Sequence, residues 1–264
     1  MLNLQNIVKY FHKGGANEVL ALNDLSLDIR QGDFITVIGS NGAGKSTMLN
    51  CMAGCFFPDS GTIALNDQDI TGLPEFRRAK FLGRVFQDPL LGTSASLTIE
   101  QNLALADKRG QRRGFGLGVK KKDRDRFCEL LKQLGLGLED RLQACVKLLS
   151  GGQRQALTML MATMVRPEVL LLDEHTAALD PKTGAQILEL TQRIVETQRL
   201  TTLMVTHNMN QAIKLGNRLI MLHRGRVILD IAGEEKKNLS VENLLERFYS
   251  LGGADELSDR MLLS

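Results

Sequence analysis

The strongest constraint on this chain is one eight-residue run, Gly39-Ser40-Asn41-Gly42-Ala43-Gly44-Lys45-Ser46, which fits G-x-x-x-x-G-K-[ST]. An apolar segment, Phe34–Ile38, precedes it as a buried strand would, and Lys45–Gly54 follows with helical spacing. A strand, a glycine-rich loop and a helix in that order place backbone N–H groups around an anion at a positive helix end. Gly39, Gly42 and Gly44 let the backbone wrap closely, with Ser40, Asn41 and Ala43 between them and Thr47 following in the helix. Lys45 reaches β- and γ-phosphates, and the Ser46 hydroxyl can ligate Mg²⁺. A nucleoside triphosphate site is the expectation.

The rest of the chain fits around such a loop. Residues 1–30 alternate weakly and predict short antiparallel strands joined by a polar loop at His12–Asn17. Thr62–Leu65 and Arg84–Phe86 are further strand candidates. From about Thr98 to Arg166 the pattern turns helical, in TIEQNLALA, DRDRFCELLKQLG and SGGQRQALTMLMATMV. Strand character then returns at Val169–Asp173. A helix follows at Pro181–Thr197, the strand TTLMVTH, a helix near Met209–Leu215, and the strands RLIML and RVILD. That alternation predicts an α/β chain with a mostly parallel sheet, an N-terminal antiparallel β subdomain and an inserted α-helical subdomain.

Composition narrows the function classes. At 264 residues with 43% apolar and 24% charged side chains, the chain can bury a core without disulfides. A net charge of +3 gives no reason to expect nucleic acid as a partner. Cys51, Cys55, Cys128 and Cys145 follow neither a disulfide nor a zinc spacing and read as small apolar residues. No apolar run approaches the length of a membrane span, and the N-terminus lacks the features of a signal peptide, so a cytosolic chain is expected. Asp107–Arg126 carries nine Lys or Arg against three Asp. It reads either as a solvated loop or as an electrostatic foot on anionic lipid or an acidic partner.

Two further segments carry chemistry. Val169–Glu174 (VLLLDE) ends a buried strand in two acids. Asp173 can hold the shell of a Mg²⁺ ion, and Glu174 can orient or deprotonate an attacking water; a paired acidic helix cap is the structural alternative. Leu149-Ser150-Gly151-Gly152-Gln153 opens a helix with an N-cap serine and two glycines, a second surface of backbone donors. One loop already cradles one nucleotide, so Ser150, Gly151, Gly152 and Gln153 are expected to face the nucleotide of another molecule.

With LSGGQ at Leu149–Gln153, the sequence resembles the ATP-binding cassette (ABC) ATPases over residues 2–232. Gly39–Ser46 resembles the Walker A loop, and Asp173 and Glu174 resemble Walker B and the catalytic glutamate. Gln87, in VFQDP, resembles the Q-loop glutamine, Ala178-Leu179-Asp180 the D-loop, and His207, in MVTHNM, the switch histidine. Phe11 is similar to the aromatic residue that stacks on adenine, with Tyr10 the second choice. The resemblance implies ATP and Mg²⁺ as cofactors and catalysis by Lys45, Gln87, Glu174 and His207. It implies nucleotide contacts from Phe11, Gly39–Thr47, Ser150–Gln153 and Asp180, and metal contacts from Ser46, Gln87 and Asp173. Read physically, Gln87 is either a polar loop residue or a reporter of nucleotide state, and Phe11 either core or adenine platform. Two departures stand out: His175 follows Glu174 where many members have Pro, and Ala177-Ala178 replaces Ser-Ala.

The expected function is the ATP-hydrolysing subunit of an ABC transporter, importing a small solute such as an amino acid, aromatic ones included. Its expected partners are a second copy, separate transmembrane permease subunits and an extracytoplasmic substrate-binding protein, with no nucleic acid. Its expected place is the cytoplasmic face of the membrane. An exporter ATPase, or a soluble cassette serving an assembly machine such as an iron–sulfur scaffold, remains the alternative. The expected domains are 1–232, with helices inserted at about 97–166, and a helical tail at 233–264, in which Val241–Leu251 can form an amphipathic helix.

Overall fold

The computed structural model describes residues 1–111 and 118–250. Ten strands, nine α-helices and two short 3-10 helices (Glu139–Arg141 and Val146–Leu148) are present among them. In chain order they begin with β1 (Leu2–Phe11), β2 (Val19–Ile29), β3 (Phe34–Gly39), α1 (Lys45–Ala53), β4 (Ser60–Leu65), β5 (Gln68–Asp69) and α2 (Glu75–Arg78). Then come β6 (Leu82–Val85), α3 (Ile99–Asp107), α4 (Lys121–Lys132), α5 (Gly151–Thr163), β7 (Val169–Asp173) and α6 (Pro181–Gln198). The last are β8 (Thr201–Val205), α7 (Met209–Lys214), β9 (Arg218–His223), β10 (Arg226–Ala232), α8 (Gly233–Lys237) and α9 (Val241–Ser250). The backbone divides into two compact units, one of Met1–Arg78 with the chain from Thr201 onward, the other of Ala79–Leu200.

The first unit holds two sheets. One is antiparallel, in the order β2-β1-β4-β5, with Leu2 opposite Ile29 and Leu4 opposite Leu27. Its alternation buries Leu2, Leu4, Ile7, Leu25 and Leu27 on one face, as the weak periodicity of residues 1–30 predicts. In the other sheet β3 lies between β8 and β9, parallel to both, and β10 pairs antiparallel with β9. All of β3 and β8 is buried, which explains their unbroken apolar character. Helix α9 packs Leu244 and Phe248 into one cluster with Ile38, Met209 and Met221. The predicted amphipathic helix therefore lies on its own unit; Leu251, with the rest of the tail to 264, falls outside the described residues.

The second unit pairs β6 with β7 in parallel, Arg84 opposite Leu171 and Val85 opposite Leu172. Its helices meet in a cluster that includes Leu103, Phe127, Leu131, Val146, Leu157 and Leu190. Strand β6 starts two residues before its expected position and ends ahead of Phe86. The short helices α2 and α8 carry too little periodicity to be read in advance. In the basic stretch, residues 112–117 lie outside the described residues. Elsewhere in it, Arg124 grips Glu100 at 2.7 and 3.2 Å, Arg126 meets Asp107 at 2.7 Å, and Arg109 donates to the Ala162 carbonyl at 2.9 Å. Those three cations are engaged within the unit, whereas Lys120, Lys121 and Lys122 are exposed.

Candidate functional site

The phosphate loop is held from behind by its own unit. The Gly225 amide donates to the Ala43 carbonyl at 3.0 Å, tying the β9–β10 turn to the loop. Gly44 sits at φ 99° as the N-cap of α1, and a Cβ there would come within 2.6 Å of the Ala21 carbonyl oxygen. Glycine is thus required both by the left-handed backbone and by the close approach of β2. Lys45 is buried, and its Nζ donates to the carbonyls of Gly39 at 2.7 Å and Ser40 at 3.0 Å. The ammonium folds over the loop it belongs to. The Ser40 hydroxyl oxygen is buried without a hydrogen-bond partner, an orphaned polar group that a phosphate oxygen would satisfy. Ser46 is exposed and Thr47 half-buried at the first turn of α1.

The opposite end of α1 is also fixed. Arg78 is fully buried and donates to four carbonyls: Leu73 at 2.7 Å, Thr71 at 2.8 Å, Cys51 at 2.7 Å and Met52 at 2.9 Å. Two of these belong to the last turn of α1, the negative end of its dipole. Burial lowers the pKa of Arg78, yet a guanidinium stays charged. Arg78, in the run Arg77-Arg78-Ala79-Lys80, carries no sequence signal of this role.

His207 lies between β8 and α7. Thr206, next to it, donates its amide to the Val37 carbonyl at 3.1 Å, so His207 stands at the same carboxyl edge as the phosphate loop. Asn208 caps α7 by accepting from the Gln211 amide at 2.8 Å. Phe11 is half-buried, its ring meeting Phe56 edge-on at 5.3 Å with Lys9 Nζ 5.9 Å above it. Tyr10 has Lys13 Nζ 5.1 Å over its ring. Both candidate platforms carry a nearby cation.

The remaining candidates belong to the second unit. Asp173 closes β7, and Glu174 follows with φ 43°, a left-handed conformation that costs a non-glycine residue about 1–2 kcal/mol. Gln87 lies two residues beyond β6, at the carboxyl edge of the same parallel pair. The Phe86 carbonyl beside it accepts from Gln155 Nε2 at 3.3 Å, and Gln155 is buried on α5. Arg84 Nη2 is 3.7 Å from Asp173 Oδ2. Gln155 and Arg84 are not singled out by the sequence, because tertiary contacts define their roles.

Ser150 is the N-cap of α5, accepting from the Gln153 amide at 3.2 Å while Gln153 Oε1 accepts from the Ser150 amide at 3.2 Å. This reciprocal capping box bears out the predicted N-cap. Gly151 lies against Leu179, with 3.3 Å from a built Cβ to Leu179 Cδ2, and a Cβ on Gly152 would collide with Thr183 Cγ2. The two glycines therefore let the start of α5 press against the start of α6. Asp180 caps α6, accepting from the Thr183 amide at 3.0 Å, and hydrogen bonds from Thr183 hold its carboxyl below the usual range. Ser150–Gln153 and Asp180 are thus brought together, whereas Asp180 carries a capping role besides any nucleotide contact.

His175 is buried, with Nε2 3.0 Å from Thr191 Oγ1. The Thr191 hydroxyl donates to the Ile187 carbonyl at 2.8 Å, so Nε2 carries the imidazole proton. Burial lowers the His175 pKa to about 4, and the ring is neutral at pH 7. Where a proline would fix the turn by its ring, His175 fixes it by a bond to α6.

Ser46 in the first unit, and Gln87 and Asp173 in the second, each carry an oxygen donor of the kind a hard cation such as Mg²⁺ takes. Among the described residues, no three His, Cys, Asp or Glu side chains cluster to hold an ion alone. Among the described residues no helix is long and apolar enough to cross a membrane.

The chain has relatives among known proteins. The family model for the ABC transporter matches residues 22–177. The chain is 46% identical over 248 residues to the tyrosine transport ATP-binding protein of Clostridioides difficile (strain R20291), covering 94% of this chain and 98% of that one. It is 34% identical over 231 residues to methionine import ATP-binding protein MetN 1 of Bacillus thuringiensis subsp. konkukian, covering 86% of this chain and 65% of the relative. It spans only 32% of the bicarbonate transport ATP-binding protein CmpC of Synechococcus elongatus, at 37% identity over 84% of this chain. Among solved structures, the ATP-binding cassette MJ0796, dimeric and bound to ADP and Pi, matches with a TM-score of 0.73 at 31% identity, over 88% of this chain and 98% of that one.

Proposed function

The chain belongs to the ABC transporter family as an ATP-binding, ATP-hydrolysing subunit, and on that premise we propose that it drives uptake of an amino acid, an aromatic one, through separate permease subunits. The likeness to a tyrosine transport ATP-binding protein along nearly the whole of both chains carries this reading. The MetN relative, an import protein, supports the same direction. The chain then works at the cytoplasmic face of the membrane as a peripheral subunit, fed by an extracytoplasmic binding protein.

The working unit is a pair of copies, as the dimeric MJ0796 cassette suggests. Each ATP is cradled by Gly39–Thr47 of one copy and capped by Ser150–Gln153 of the other, with Asp180 at the same rim. In this reading Lys45 leaves the Gly39 and Ser40 carbonyls for the β- and γ-phosphates, a charge-assisted exchange. Phe11 stacks on adenine, with Tyr10 beside it. Glu174 orients and deprotonates the attacking water, and its strained backbone presents the carboxylate at the end of β7. Mg²⁺, when bound, would supply charge neutralisation at the phosphate oxygens. Ser46, Gln87 and Asp173 would be the residues to hold it, and His207 would hydrogen-bond the γ-phosphate. Loss of the γ-phosphate removes donors from both copies and releases the pair.

Purification of the tagged chain from its host tests the reading. Multi-span permeases and an exported binding protein should co-purify from detergent-solubilised membranes, and vesicles holding that complex should accumulate tyrosine when ATP is supplied to the cassette side. Co-purification with a soluble scaffold alone would replace the transporter by an assembly machine, and ATP-driven efflux would replace import by export.

A further inference from the structure

In the parallel pair of β6 and β7, Arg84 stands opposite Leu171. Side chains two apart on a strand share a face, so Arg84, Leu171 and Asp173 lie on one face of the pair. The guanidinium of Arg84 comes 3.7 Å from the Asp173 carboxylate, and both side chains are sheltered, at 12% and 16% exposure. The same guanidinium lies over the ring of Phe86, 4.5 Å from its centroid. Arg84 is thus shared between a carboxylate and an aromatic face, and Phe86 is the residue before Gln87.

We propose that Arg84 is a positioning residue that acts as the resident counter-cation of Asp173, and that divalent metal must displace it. This rests on the reading of Asp173 as a metal residue. At 3.7 Å the contact is an ion pair longer than the 2.7–2.9 Å of a charge-assisted hydrogen bond, so it neutralises the carboxylate without clamping it. In a sheltered place such a charge is weakly screened and competes with an arriving cation. When metal takes Asp173, the ring of Phe86 keeps a favourable seat for the guanidinium, so release does not strand a sheltered charge. Arg84 thereby sets how much divalent metal the nucleotide site needs, and ties metal arrival to the segment bearing Gln87.

Mn²⁺ binding to the full chain in the presence of a non-hydrolysable ATP analogue, followed by electron paramagnetic resonance, tests this without turnover. Arg84→Met and Arg84→Gln should lower the half-saturating Mn²⁺ concentration by about five-fold, the scale of one partly screened charge. Arg84→Lys, which keeps the charge, should stay within about two-fold of wild type. Asp173→Asn should lose most of the nucleotide-dependent Mn²⁺ binding. If Asp173→Asn loses binding while both neutral Arg84 variants titrate like wild type, or need more Mn²⁺, the counter-cation role is overturned and the reading of Asp173 stands. If Asp173→Asn binds Mn²⁺ like wild type, the reading of Asp173 falls and the inference with it.

Discussion

Lys45 Nζ lies 2.7 Å from the carbonyl oxygen of Gly39, six residues earlier in the same loop. A buried ammonium bonded to its own loop is a cation ready for phosphate, since it exchanges one set of oxygens for another of greater charge. Lys45→Met should therefore weaken ATP binding by about 10- to 100-fold, the scale of a charged hydrogen bond. Titration with a fluorescent ATP analogue measures this, and circular dichroism should show the helices intact.

His175 makes acid stability a second test. The imidazole pKa falls from 6.5 to about 4 on burial. Between those values the unfolded chain binds the proton and the folded chain does not, so stability is complete above pH 6.5 and declines as pH falls toward 4. The full loss is on the order of 3 kcal/mol. Urea unfolding at pH 7 and pH 4.5 should show a smaller difference for His175→Gln than for wild type. An equal difference in both would assign the acid sensitivity to other groups.

Much of this was legible in the sequence because its motifs coincide with element boundaries. The phosphate loop lies between an unbroken apolar run and a helical period, and Ser150 is followed three residues later by Gln153, the pattern of a capping box. Positions set by tertiary contact were not legible. Arg78 is an unremarkable basic residue until its four carbonyl partners from two segments meet it. His175 reads as a departure from Pro until Thr191, sixteen residues on, supplies its bond. β6 ends at Val85 although Phe86 has strand character, because the Phe86 carbonyl is taken by Gln155.

The capping box at α5 separates stability from assembly. Ser150→Ala should cost about 1 kcal/mol of stability through the lost cap. Gly152→Ala should cost about 1–3 kcal/mol, because its methyl drives against Thr183 and forces α5 and α6 apart. Thermal unfolding of the two variants, together with ATP-dependent dimerisation by light scattering, checks both effects. Gly152→Ala should dimerise less than Ser150→Ala.

Phe248 anchors α9 to the strand that delivers the phosphate loop, through the cluster it shares with Ile38. Its ring also meets His223 edge-on at 5.6 Å. Phe248→Ala should destabilise the protein by about 3–5 kcal/mol, whereas the exposed Tyr249→Ala should change stability by less than about 0.5 kcal/mol. Denaturant melts of the two neighbours give the comparison.

Single-turnover hydrolysis by Glu174→Gln tests the catalytic account most directly. The variant keeps the shape of the β7 turn and removes only the base. It should bind ATP as wild type does, accumulate as an ATP-bound dimer, and hydrolyse at least about 100-fold more slowly. Hydrolysis at the wild-type rate, with ATP binding unchanged, would contradict the role of Glu174 and the mechanism built on it.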